Sequence, residues 1–176
     1  MNEINYMFII FGILAALCFL MYVFPKKNKL HARNIKTAEI MLTKINMMAV
    51  DNPAMTFGLL RKLNPFVFEE LLLLAFKQHD FKVKHNRRYT GDNGLDGIVF
   101  DEQGNKYLIQ AKRYKSAINP AHVESFSHVV NQKQAHAGFF IHTGRTGKKS
   151  YQLRGQNISI ISGHRLISLL TGKPFL

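Results

Sequence analysis

Two polar side chains interrupt an apolar strand near the middle of the chain. The run from Tyr107 to Tyr114 reads Tyr-Leu-Ile-Gln-Ala-Lys-Arg-Tyr. Because alternate residues of a strand point to the same face, Gln110 and Lys112 are predicted to project together. Ile109 and Ala111 are then expected to face a core on the opposite side. Burying an amide and an ammonium costs free energy unless both have partners, which favours a functional role for this pair.

A carboxylate lies one hairpin upstream of this strand. Asp96 stands near the start of an apolar strand predicted over residues 95–101, and residues 102–105 are expected to form a tight turn into the strand at 106–113. Carboxylate and amide oxygens are ligands that Mg²⁺ accepts. Asp96 and Gln110 are therefore candidate metal ligands, and Lys112 is placed to steady an oxyanion or a water molecule.

Periodicity and helix-start signals predict an α/β fold. Asn followed by Pro is typical of a helix start, so Asn64 and Pro65 are expected to open a helix that ends at Gln78. Three strands in a meander, followed by a crossover to a fourth, predict a mixed β-sheet with helices on both faces. The other predicted elements are strands 81–86, 137–142 and 158–161 and helices 120–135, 146–154 and 164–170.

An uncharged and almost wholly apolar run occupies residues 4–24. About 20 helical residues span the ~30 Å hydrocarbon core of a bilayer, so a transmembrane anchor is predicted over residues 1–25. A cleaved signal peptide would need a basic start and a small-residue cleavage site, whereas this chain starts Met-Asn-Glu. A buried helix of a soluble protein is the other alternative. Lysines and an arginine follow the run, which predicts that the rest of the chain lies in the cytoplasm.

A basic helical spacer is predicted over residues 26–63, between the anchor and a domain over residues 64–176. Within the spacer, residues 30–49 are expected to form a helix that ends before Asn52 and Pro53. A dimerising helix is an alternative to a simple spacer. The predicted apolar stripe of this helix comprises Ile40, Met41, Ile45 and Met48.

The charge of the chain is strongly positive and unevenly distributed. There are 24 lysines and arginines against 11 acidic residues, a net charge of +13. The last acidic residue is Glu124, and only basic charges follow it. A one-sided basic half next to carboxylates favours a phosphate-bearing partner such as DNA, with an anionic membrane surface as the alternative. The single cysteine and the scattered histidines give no Cys/His zinc pattern.

Three motifs together resemble a known family. They are Phe68-Glu69, the run Gly-Asp-Asn-Gly-Leu-Asp-Gly over residues 91–97, and the run Ile-Gln-Ala-Lys-Arg-Tyr over residues 109–114. Over residues 65–171 the chain resembles the catalytic domain of the Mrr-type restriction endonucleases, a group of the PD-(D/E)xK nuclease superfamily. The resemblance implies a restriction-endonuclease-like mixed sheet and hydrolysis of DNA with Mg²⁺ or Mn²⁺.

The resemblance also implies a role for each candidate residue. Asp96 takes the place of the family's metal ligand, and Gln110 that of the acid in the more common form of the motif. Lys112 would orient or activate the attacking water or neutralise charge in the transition state. Glu69 matches an acid that the family presents from its first helix. Glu70 beside it is an alternative, and an exposed helix carboxylate is the plain interpretation of Glu69.

Basic residues around this site are expected to contact DNA. The candidates are Arg87, Arg88, Arg113, Lys148 and Lys149. The last two lie in the run 144–150, which looks like a nucleotide-binding P-loop. Its glycines are too close together and its first lysine is followed by another lysine, so no nucleotide cofactor is expected.

These observations predict a membrane-anchored, cytoplasm-facing, metal-dependent DNA endonuclease of the type IV restriction kind, acting on foreign or modified DNA. One alternative is a DNA-tethering membrane protein with a nuclease-like fold and no catalysis. Another is an accessory part of a membrane complex. Double-strand cleavage would suit a homodimer, which the sequence leaves open.

Overall fold

The computed structural model describes residues 3–85, 94–152 and 157–176 of the chain. All elements predicted from residue 64 onward are present, although the strand predicted over residues 81–86 and the helix predicted over residues 146–154 start later than expected. The helices are α1 (Glu3–Met48), α2 (Pro53–Lys62), α3 (Pro65–Gln78), α4 (Pro120–Gln132), α5 (Lys148–Gln152) and α6 (Gly163–Leu170). The strands are β1 (Lys82–Lys84), β2 (Gly97–Phe100), β3 (Lys106–Lys112), β4 (Ala137–His142) and β5 (Ile158–Ile161).

One five-stranded sheet lies at the centre of the domain, with strands in the order β1-β2-β3-β4-β5. The first three strands pair antiparallel as a meander, whereas β3, β4 and β5 pair in parallel. Parallel neighbours require crossover connections, and these contain α4 and α5. The predicted mixed α/β sheet is therefore confirmed.

The two faces of the sheet bury separate apolar clusters. On one face, Ile109 and Phe139 pack with residues of α1, α3 and α6. On the other face, Leu108 and Phe140, the neighbours of those residues along β3 and β4, pack with residues of α4. Because both faces are covered, a polar side chain in the middle of β3 has to be accommodated inside the protein.

Helix α3 covers much of the first face. The Asn64 side-chain oxygen accepts a hydrogen bond from the Phe66 backbone nitrogen at 2.9 Å, and a proline follows it, as the sequence predicts. Phe76 stacks on Phe139 with ring centroids 5.0 Å apart and meets Phe175 edge-on at 5.7 Å. Such aromatic pairs add about 0.5–1.5 kcal/mol each beyond the burial of area. They fix the C-terminal end of α3 over β4.

The second half of α1 packs on α3 and contributes to the core. Its buried apolar residues are Ala38, Leu42 and Ile45, which follow helical spacing, and Ala49 directly after the helix is buried as well. The predicted stripe is wrong at Ile40, which is 56% exposed, whereas Ile45 is fully buried and Met41 packs against the core. Ala38 and Ala49 are fully buried, and a search for large apolar residues overlooks them.

The first half of α1 bears the apolar run noted in the sequence. The side chains from Met7 to Tyr22 are exposed. Across the part of the chain that the structure describes, no helix combines the length and the apolar character needed to cross a membrane. The transmembrane anchor predicted over residues 1–25 is therefore not supported.

The contact between β4 and α4 gives a test of this packing. A methyl group added at Gly138 would lie 2.6 Å from Val130 Cγ2 and 2.7 Å from Phe126 Cε1. We expect Gly138→Ala to lower the free energy of unfolding by about 1–3 kcal/mol, because both neighbours are fully buried and have no room to shift. Urea unfolding of the full chain measures the change.

A second glycine supplies the control for that measurement. Gly58 lies inside α2, and a methyl group there would meet nothing within 4 Å. Gly58→Ala is expected to raise stability by about 0.5–1 kcal/mol, because alanine loses less backbone entropy in a helix. Equal effects of the two substitutions would contradict the described contact between β4 and α4.

Candidate functional site

Asp96 is fixed against β3 by two hydrogen bonds across the hairpin, one from its backbone and one to its carboxylate. Its backbone nitrogen donates to the Ile109 carbonyl oxygen at 2.9 Å. Its Oδ2 atom accepts from the Ala111 backbone nitrogen at 2.6 Å. Ala111 is the residue between Gln110 and Lys112, so the carboxylate is held beside the segment that carries both. The structure thus brings together the acid, amide and lysine that the sequence singled out.

Gln110 is buried and its amide has a fixed orientation. The side chain is only 7% exposed, and its Nε2 atom donates to the Gly94 carbonyl oxygen at 2.9 Å. Gly94 has a φ of +76°, and a Cβ atom at this position would lie 2.6 Å from Gln110 Nε2. Glycine is therefore required here for both its backbone conformation and its size. Because the amide nitrogen contacts Gly94, Oε1 is the amide atom suited to ligate a cation.

Glu69 on α3 lies within electrostatic reach of the same site. Burial, together with repulsion from Asp96 and Glu70, raises the pKa of the Glu69 carboxyl from 4.5 to about 8, against the lowering effects of Lys112 and Arg113. Burial also raises the pKa of Asp96 to about 6, while its hydrogen bond from Ala111 and the charge of Lys112 oppose the shift. The site therefore joins two carboxyl groups that resist ionisation and one lysine.

A divalent cation fits this set of groups. Burial raises the pKa values of both carboxyls, and Lys112 offsets this only in part. Additional positive charge close to them would stabilise their ionised forms. The donor atoms that Asp96, Gln110 and Glu69 offer are all oxygens, the type of ligand that Mg²⁺ and Mn²⁺ accept. Asp96 and Gln110 are thus suited to the metal-binding roles that the sequence predicts.

The residues predicted to contact DNA fall into three groups. The Arg113 guanidinium donates to the backbone oxygens of Arg61 and Leu63, so it ties the end of β3 to the junction of α2 and α3. Lys148 and Lys149 are exposed at the start of α5. Arg87 and Arg88 lie outside the described residues. A role in DNA binding stays a prediction for all five.

The structure separates the two neighbouring acids of α3, which the sequence left as alternatives. Glu69 interacts with Asp96 and Lys112, whereas Glu70 is buried and contacts two imidazoles, His31 and His85. Consecutive residues of an α-helix point about 100° apart, which explains the divergence. Sequence spacing gave no sign that Glu70 meets His31 and His85, because the three residues are far apart along the chain. 

His142, which pairs with Lys112 in the register of β4 and β3, is a core histidine. It is fully buried, and burial lowers its pKa to about 4. Its Nε2 atom lies 2.9 Å from the Thr146 hydroxyl. It is therefore neutral near pH 7 and adds no positive charge beside Lys112.

In structure, the chain is similar to the DNA modification-dependent restriction endonuclease AspBHI, with a TM-score of 0.45 and 16% sequence identity over 76% of this chain. The matched region is 35% of the length of that protein. No match was found among curated proteins.

The sequence of the domain matches one family model. Residues 60–170 match the model described as "Restriction endonuclease", the Mrr catalytic domain. The matched region runs from α2 to the last residue of α6 and includes all five strands and every candidate catalytic residue. Because the match covers well over half of the chain, the protein belongs to the restriction endonuclease family of Mrr-type catalytic domains.

Proposed function

We propose that this nuclease domain is a metal-dependent DNA endonuclease that hydrolyses phosphodiester bonds at the site formed by Asp96, Gln110, Lys112 and Glu69. The observation that carries the proposal is the hydrogen bond from the Ala111 backbone nitrogen to Asp96, at 2.6 Å. It holds a carboxylate beside the segment that carries the amide and the lysine. The Mrr family makes DNA the expected substrate and restriction the expected biological role.

Each group has a defined task in this proposal. Asp96 and Gln110 would hold Mg²⁺ or Mn²⁺ through oxygen atoms, and Glu69 provides a second carboxylate nearby. A bound cation would supply positive charge that stabilises the transition state of phosphodiester hydrolysis. Lys112 donates hydrogen bonds to the attacked phosphate or to the attacking water. Its positive charge stabilises the negative charge that develops in this step.

The proposal extends to restriction of foreign or modified DNA, as in type IV systems, on the strength of the family alone. A cytoplasmic location of the domain stays a prediction. Within the described residues, neither a membrane contact nor a homodimer has support.

The catalytic assignment is tested by substitution at two of its groups. Asp96→Asn retains an oxygen that accepts the Ala111 hydrogen bond but removes the charge, and Lys112→Ala removes the ammonium. We expect each to lower the cleavage rate by roughly 10²-fold or more, the usual effect of losing a group that acts in the transition state. Cleavage of supercoiled plasmid, methylated and unmethylated, is measured with Mg²⁺, with Mn²⁺ and with a chelator.

Lys115→Ala is the matched control for that experiment. Lys115 is exposed and lies three residues beyond Lys112. Its removal should leave the rate close to that of the wild type. DNA binding without cleavage in every condition, equal in the wild type and both variants, would instead favour a DNA-tethering protein without catalysis.

The exposed lysines of α5 give a prediction for DNA affinity. If Lys148 and Lys149 each neutralise one phosphate, the double Lys→Ala variant should bind DNA more weakly. The slope of log affinity against log salt should fall by up to about 2, because fewer counterions are released. Lys44→Ala, at an exposed position on α1, is the control. Unchanged slopes would remove α5 from the DNA surface.

The raised pKa of Glu69 predicts how stability depends on pH without metal. A carboxyl whose pKa is higher in the folded state binds more protons there, so stability is greatest below the unfolded value and falls as pH rises through the folded value. Asp96, with its pKa of about 6, titrates mainly below pH 6.5. His142 is neutral in the folded state, so it opposes the trend only until the unfolded imidazole, with its ordinary pKa of about 6.5, has lost its proton. Between pH 6.5 and 8, the Glu69 carboxyl, with its pKa of about 8, makes the largest contribution of these three groups to the change in stability.

We therefore expect the chelated protein to lose stability from pH 6.5 to 8. The slope should stay below the limit of about 1.4 kcal/mol per pH unit for one proton, since solvent screens a half-buried group. Urea unfolding at several pH values measures it. Glu69→Gln should flatten the slope, whereas Glu124→Gln on α4 should not. A slope that persists in Glu69→Gln would contradict the assignment.

A further inference from the structure

We propose that His31, Glu70 and His85 form a second cation site, suited to Zn²⁺ and separate from the oxygen site at Asp96. Each residue offers one ligand atom, and these three atoms all lie within 4.8 Å of one another. His85 Nδ1 is 2.8 Å from Glu70 Oε2, and His31 Nδ1 is 3.4 Å from Glu70 Oε1. The two imidazoles thus approach different oxygens of one carboxylate.

These separations agree with binding to a single ion. Zn²⁺ binds imidazole nitrogen and carboxylate oxygen at about 2.0–2.2 Å, so two ligand atoms in tetrahedral positions lie about 3.4 Å apart. The His31–Glu70 contact of 3.4 Å has that spacing, whereas the His85–Glu70 contact of 2.8 Å is a hydrogen bond that the ion would replace. Small side-chain rotations would bring all three ligands onto one ion.

The burial of Glu70 supports a cation at this point. Its side chain is only 3% exposed, and it lies in α3 between residues of the apolar core. A buried carboxylate is stable when it is paired with positive charge or coordinates a metal. The imidazoles of His31 and His85 are 31% and 39% exposed, so the cluster opens to solvent on the side where an ion would enter.

The ligand set favours Zn²⁺ over Mg²⁺. Two imidazoles and one carboxylate form a set that zinc sites use, with water in a fourth position. Mg²⁺ prefers oxygen ligands and gives up its waters reluctantly. The oxygen atoms of Asp96 and Gln110, in contrast, form a ligand set that favours Mg²⁺. The two sites of this domain should therefore be distinguished by the metal that each one takes.

The elements that carry the ligands give the site a structural consequence. His31 lies on α1 seven residues before Ala38, so it continues the helix face that packs on α3. Glu70 belongs to α3, and His85 directly follows β1. One bound ion would thus connect α1, α3 and the end of the first strand. Zinc should stabilise the fold by tying α1 to the nuclease domain.

Zinc binding by the full chain tests the proposal. The protein is stripped with a chelator and titrated with Zn²⁺ alone, in the Asp96→Asn background so that the oxygen site contributes less. We expect one equivalent of zinc per chain. At a 100-fold excess of zinc over its Kd, the melting temperature should rise by roughly 5–10 °C, and Mg²⁺ should not reproduce this.

Substitution of single ligands locates the bound ion. Changes around metal ligands already weaken metal binding about 10–100-fold, so His31→Ala, His85→Ala and Glu70→Gln should each weaken zinc binding by about 100-fold or more. His128→Ala is the control, because His128 is exposed on α4 and belongs to no cluster among the described residues. Its zinc affinity should equal that of the parent.

A spectroscopic readout keeps the test decisive if the buried Glu70→Gln variant fails to fold. Co²⁺ in place of Zn²⁺ should give the visible absorption of a nitrogen- and oxygen-ligated ion, lost in His31→Ala and His85→Ala and retained in His128→Ala. Two results would overturn the proposal. One is the absence of stoichiometric zinc binding to the parent, and the other is zinc affinity that survives removal of either histidine. Both would leave the three side chains as a hydrogen-bonded cluster only.

Discussion

The hydrogen bond between Asp96 and the Ala111 backbone nitrogen is the contact on which the candidate active site depends. A carboxylate in a loop would otherwise be free to turn towards solvent. Here it takes the place of a strand partner at the end of the β2–β3 pairing and is held at a fixed position along β3. Gln110 and Lys112 are the residues before and after Ala111 along β3, and strand alternation directs both side chains to the same face. Backbone pairing thus determines the relative positions of the three candidate catalytic side chains.

The same alternation explains how an apolar sheet accommodates polar groups. Ile109 supplies the core under α3, while Gln110 occupies the opposite face and forms a hydrogen bond with Gly94. The left-handed conformation of Gly94 brings its carbonyl oxygen to the buried amide, which satisfies a group that would otherwise be costly to bury. Gln110 therefore shares its face of β3 with Leu108 of the second apolar cluster, and a slip of one residue in register would exchange the two faces.

Much of this could be predicted from sequence, because the decisive signals are local. Strand alternation assigned Gln110 and Lys112 to one face, and Asn64 before proline marked the start of α3. The contact face of α1 was predicted only in part, since it is set by the partner helix and includes Ala38 but not Ile40. The apolar content of residues 4–24 predicted a membrane span that the described helices do not support. Contacts between residues far apart in sequence, such as His31 with Glu70, leave no local pattern to recognise.

Helix α3 shows how one short segment can serve two chemistries. Glu69 and Glu70 are adjacent, yet the turn of the helix directs the first towards Asp96 and Lys112 and the second towards two imidazoles. Their carboxylates still repel each other, which is part of the reason that the pKa of Glu69 is high. The helix can present both acids only because Phe76 and its aromatic partners fix its position over β4. A rotation of α3 would displace both acids together, so the packing of the core determines both the oxygen site and the histidine cluster.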